Sequence, residues 1–137
     1  ILYFLNKIYI ENIDIFAKSF KRREGLSKNF KFKNFTNKPT LLKKKYDLII
    51  NASNAGMSHG NKINRNILRL VKKTKGVIDI VYNPLETDLL KEAEKHNIKS
   101  IGGLIMLVEQ AKPSFEIWSK KDIEIDDKIY RSLISKI

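Results

Sequence analysis

With 137 residues the chain has room for one domain with a real core and not comfortably for two. It has no cysteine, which excludes a disulfide framework and a thiolate zinc site, and no apolar run long enough to span a bilayer. Its 27 Lys and Arg against 15 Asp and Glu give a net charge of +12, which raises nucleic acid or an anionic ligand as a partner; yet the lysines are scattered and accompany abundant Ile and Asn, as in an AT-rich coding sequence, so a solvated basic surface and no nucleic-acid partner are expected.

Short β-branched runs alternate with helical stretches, which predicts βαβ units and a mostly parallel α/β sheet. Residues 1–6 read as the end of a helix and 7–11 as a short strand. Residues 13–23 form a helical pattern with Ile13, Phe16, Ala17 and Phe20 on one face, stopping near Gly25. Residues 29–35 alternate Phe with Lys or Asn, as a half-exposed strand does. A helical turn over 41–45 feeds an apolar strand at 47–51, and the polar loop "SNAGMSHGN" follows. Then come a helix at 64–73, a strand at 77–82, a helix at 86–96, a short strand at 99–101, a helix at 103–118 and a last helix at 126–135.

Three loops are expected to follow strand ends, at 11–14, 51–57 and 82–87. In a doubly wound sheet such loops share one edge, where helix amino termini direct N–H groups at an anionic ligand. A fourth stretch, "IGGLIMLVEQA", enters a helix through two glycines, which lets backbone approach a ligand closely before Gln110 emerges two turns on. Taken singly, each also fits an ordinary turn, a core tyrosine or a solvated glutamine; the case rests on their convergence. His59 and His96 have no metal-ligand spacing, and no metal is expected.

"YDLIINASNAGM", "GVIDIVYNPLETDLLKEAEKHNIKSIGGLIMLVEQAKPSFEIW" and the spacing between them resemble the carboxy-terminal half of the shikimate dehydrogenase family, over roughly residues 1–125. The resemblance implies a Rossmann-like, doubly wound domain and NADPH-dependent reduction of 3-dehydroshikimate to shikimate, a step of aromatic amino acid biosynthesis in the cytoplasm. It implies that Tyr82 and Gln110 contact the substrate, that Ile80 and Gly103 lie against the nicotinamide end of the cofactor, that Met106 also binds the cofactor, and that Asn51, Ala52 and Ser53 pass beside it. Asn12 matches the first residue of the family's Asn-Arg-Thr turn at the adenosine ribose, with Asp14 two residues on.

That turn here reads Asn12, Ile13, Asp14, without the arginine, and Glu11 and Asp14 add carboxylates that favour the free 2′-hydroxyl of NAD. NAD therefore stands beside NADP, and a quinate/shikimate dehydrogenase preferring NAD beside the main reading. The family's glycine between Leu and Met is Ile105, and Pro113 is expected to kink its helix. A first residue of Ile suggests upstream sequence. The family's Gly-rich loop, first strand and substrate domain with the catalytic Lys and Asp are expected there, so 1–137 is read as a partial cofactor-binding domain, with no catalytic residue of its own and no turnover alone. Lacking the first strand, residues 1–35 should splay away or close directly on the strand at 47–51. A basic nucleic-acid-binding module on a decayed dehydrogenase scaffold is the rival of another class, and it predicts steep salt dependence. The sequence sets no oligomeric state.

Overall fold

The computed structural model describes residues 1–17, 19, 21, 23–38 and 45–136. It divides into two compact units, Ile1–Lys44 and Lys45–Ile137.

In the first unit, α1 (Leu2–Lys7) is followed by β1 (Asp14–Phe16), α2 (Arg23–Asn29) and β2 (Asn34–Thr36). The strand expected at 7–11 is absent, because these residues end the helix instead. Tyr9 adopts a left-handed φ of 62°, its N–H donates to Asn6 O at 3.0 Å, and the Ile10 N–H donates to Leu5 O at 2.9 Å. This pair of bonds is the Schellman closure, which satisfies carbonyls that the helix leaves open. The helix expected at 13–23 is likewise replaced by β1 at its start, and α2 runs through Gly25, the expected stop. β1 and β2 pair in parallel with Ile15 opposite Phe35. They form their own two-stranded sheet. The helical turn expected at 41–45 lies outside the described residues but for Lys45.

The second unit carries a parallel sheet in the order β3 (Leu48–Asn51), β4 (Gly76–Asp79), β5 (Lys99–Ile101), with α3 (Arg65–Val71) after β3, α4 (Asp88–Lys95) after β4 and α5 (Gly103–Ser119) after β5. This is the expected βαβ succession. α3 and α4 cover one face, where Ile63, Val71, Val77, Leu89 and Ala93 form the buried core and Ile49, Ile67, Leu90 and Ile98 pack around it. Leu89 and Ala93 stand one turn apart, so a single apolar stripe seats α4. Side chains cap three helix starts: Asn64 accepts from Asn66 N–H, Thr87 from Leu90 N–H, and Asp126 from the N–H groups that open α6 (Asp127–Ile134). α5 continues through Pro113 to Ser119. Among the described residues no helix is long and apolar enough to cross a membrane.

Candidate functional site

The carboxyl ends of β3 and β4 are joined by side chains. β4 stops at Asp79, three residues short of the expected end at 82, because the Asp79 carboxyl replaces a neighbouring strand as acceptor: the Val81 N–H donates to its Oδ1 at 3.1 Å. Asn51 Nδ2 donates to the same oxygen at 2.8 Å and to Ala55 O at 2.9 Å. Asn51 Oδ1 accepts from the Ser53 hydroxyl at 2.7 Å and from its N–H at 3.2 Å, so the loop at Asn51, Ala52 and Ser53 is shaped by the asparagine side chain. The Thr87 hydroxyl, buried like Asp79, donates to Asp79 Oδ2 at 2.7 Å. Ser58 reaches across to the turn after β4, its hydroxyl 3.0 Å from Asn83 Oδ1.

Tyr82 stands on that turn, 42% exposed, and Gln110 lies two turns into α5, also exposed. Neither side chain hydrogen-bonds to a described residue. α5 is brought to β4 by Gly103, whose N–H donates to Val81 O at 3.2 Å. A Cβ at Gly103 would run into the Ile80 carbonyl and lie 2.7 Å from the Val81 carbonyl carbon, so only glycine permits this approach. α5 starts on Gly102 without a side-chain cap, unlike α3, α4 and α6. Its first-turn N–H groups, at the positive end of the helix dipole, can therefore serve a ligand. Ile80 and Met106 are partly buried nearby in sequence, on the β4 end and the first turn of α5.

Asn12 and Asp14 are placed differently from the expectation. They stand before and at the start of β1, not in a turn after a strand, and so lie at the amino end of a parallel strand, the end opposite to that where such sheets hold ligands. Both acidic side chains of that stretch are engaged: Glu11 pairs with Lys31 at 2.7 Å, and Asp14 Oδ1 accepts from Asn34 Nδ2 at 2.6 Å. The segment that follows the carboxyl end of β1 begins with Ala17.

An open groove of about 730 Å³ lies elsewhere on the β3–β4–β5 sheet, lined by Asp47, Leu48, Lys75, Gly76, Ile78 and Lys99 among others. None of the expected site residues lines it. Among the described residues no group of three His, Asp or Glu side chains could hold a metal ion. Sequence reasoning missed the Asp79–Thr87 pair. Its signal was a lone carboxylate inside the apolar run "GVIDIV", with a threonine eight residues later at a helix start.

No family model matches the chain. It is 38% identical over 135 residues to shikimate dehydrogenase (NADP(+)) of Methanococcus maripaludis, a match that covers 92% of this chain and 48% of that protein. The structure resembles a chorismate mutase/shikimate 5-dehydrogenase fusion protein from Clostridium acetobutylicum, with TM-score 0.71 and 31% identity over 99% of this chain and 48% of that one. It also resembles a shikimate dehydrogenase solved in complex with NADP+, with TM-score 0.65 and 30% identity over 91% of this chain and 46% of that one. The chain thus spans about half the length of these relatives.

Proposed function

We propose that this chain, which belongs to the shikimate dehydrogenase family and matches the carboxy-terminal half of its relatives, is the cofactor-binding part of an enzyme that interconverts 3-dehydroshikimate and shikimate in the cytoplasm with NADP. The observation that carries the reading is the carboxyl edge of β3 and β4. There, Tyr82 accompanies the start of α5, which close glycine contact presses onto the strand, and Gln110 stands two turns further along that helix; neither side chain hydrogen-bonds to a described residue.

In this reading the Tyr82 hydroxyl and the Gln110 amide hydrogen-bond the hydroxyl and carboxylate groups of the ring acid and orient it. When bound, the dinucleotide supplies or accepts the hydride. Ile80 and Gly103 present apolar surface and backbone to its nicotinamide end, Met106 also contacts it, and the loop at Asn51, Ala52 and Ser53 lies beside it. The resemblance assigns the adenosine end to Asn12 and Asp14. NADP is the cofactor of this reading because the relatives are named as NADP(+) enzymes and one is solved with NADP+. Residues 1–137 act as one part of a cofactor-binding domain. The acid that protonates the substrate oxygen is assigned by the resemblance to the family's other half.

The test is an exchange of halves. The Methanococcus maripaludis enzyme with its matching half replaced by this chain should oxidise shikimate, faster with NADP+ than with NAD+. A folded hybrid without that activity would overturn the reading.

A further inference from the structure

We propose that Asp79 is a positioning residue that makes the loop after β3 and the turn after β4 one mechanical piece, so that the groups facing cofactor and those facing substrate keep a set spacing. The identity of those two ligands rests on the function proposed above; the coupling rests on hydrogen bonds alone.

Asp79 is the last residue of β4 and is fully buried. Its three donors come from three segments. Asn51, at the end of β3, donates at 2.8 Å; Val81, which leads into Tyr82, donates its N–H at 3.1 Å; Thr87, the cap of α4, donates its hydroxyl at 2.7 Å. Each branch continues. Asn51 holds Ser53 and Ala55, and the Thr87 oxygen accepts from the Leu90 N–H at 3.3 Å. An unbroken path therefore runs from Ser53 through Asp79 to the first turn of α4. Among the described residues no buried side-chain polar atom lacks a partner, and a fully satisfied polar network specifies one arrangement. A valine at this position would serve the core without the desolvation cost of a carboxyl group. What it could not do is gather three donors from three segments.

The experiment follows amide hydrogen exchange by nuclear magnetic resonance on the full chain without any ligand, so its outcome is independent of which substrate the chain takes. The reporters are the Asn51 side-chain amide and the Val81 N–H, both bonded to Asp79 and neither hydrogen-bonded to Thr87. Thr87→Val should speed exchange at both by about tenfold, the scale of one lost hydrogen bond, and Thr87→Ser should restore the original rates. Coupling is reciprocal, so Asn51→Ala should speed exchange at Leu90 by a similar factor. It also gives a second route should Thr87→Val fail to fold. If Thr87→Val affects only Leu90 and its neighbours in α4, the threonine is merely a cap and the proposal falls. Equal acceleration everywhere, including Val77 in mid-strand, would mark loss of global stability and would overturn it too.

Discussion

Gly103 sets the distance between the start of α5 and the end of β4. Adding one methyl group there places it against the Ile80 carbonyl and 2.7 Å from the Val81 carbonyl carbon, both backbone atoms with no rotamer to yield. Gly103→Ala should therefore destabilise the chain by about 1 to 3 kcal/mol, as overpacking does, and a urea denaturation curve would read it; an unchanged midpoint would mean that the helix start is free to move. A second residue-scale prediction concerns Asp47 and Lys75, which pair at 2.6 Å with both side chains 84% exposed. The Lys75 hydrogen bond and charge hold the Asp47 carboxyl below its ordinary value, and Asp47 in turn raises Lys75. A depressed carboxyl contributes stability that is present above its unfolded value near pH ~4 and is lost as pH falls through the lower folded value. The raised lysine contributes below its ordinary value and loses that contribution as pH rises through the folded one. So exposed a pair contributes little. Lys75→Gln should move the Asp47 titration, followed by carboxyl carbon resonance, up toward the ordinary range while the denaturation midpoint at neutral pH barely shifts. An unmoved Asp47 titration would refute the pairing.

At the scale of elements, α5 is unusual in carrying Pro113 in its interior, where proline removes a backbone hydrogen bond and crowds the preceding turn. Pro113→Ala should raise stability by about 1 to 3 kcal/mol, against the roughly 3 kcal/mol that an interior proline costs, measured by urea denaturation; a loss of stability would show that the ring is needed for packing. The elements of the second unit were legible in the sequence because their signals are strong. α4 shows Leu89 and Ala93 at helical spacing after a Thr87 cap, and β3 and β4 are apolar runs between turn residues. The first unit was misread by about half an element. Ile13, Phe16, Ala17 and Phe20 fit helical spacing, while the strand actually formed is three residues long, too short to display a period of two. Tyr9 hid the end of α1, since a left-handed closing residue is announced by glycine or asparagine and not by tyrosine. Asn97, left-handed at the end of α4 with the Ile98 N–H on Ala93 O at 2.9 Å, follows the rule, and that boundary was read correctly. The strand-end loops of the candidate site were legible, but the carboxyl that ties them was not, because a contact between Asp79 and Asn51 spans 28 positions and no local pattern encodes it.

At the scale of the whole molecule, the chain spans about half the length of its relatives, and the proposed function sets Tyr82 and Gln110 of the second unit against the ring acid. Both are exposed and unpaired among the described residues, so neither contributes much to stability and either can be truncated without unfolding the unit. The most direct measurement is steady-state kinetics of the hybrid enzyme bearing Tyr82→Phe or Gln110→Ala, with shikimate and NADP+ varied in turn. Each variant should lose kcat/KM for shikimate by an amount equivalent to about 1 to 3 kcal/mol, the cost of an unmade hydrogen bond to a polar ligand, with the KM for NADP+ nearly unchanged. Unaltered shikimate kinetics in both variants, or an equal loss toward NADP+, would contradict the assignment of this edge as the substrate site.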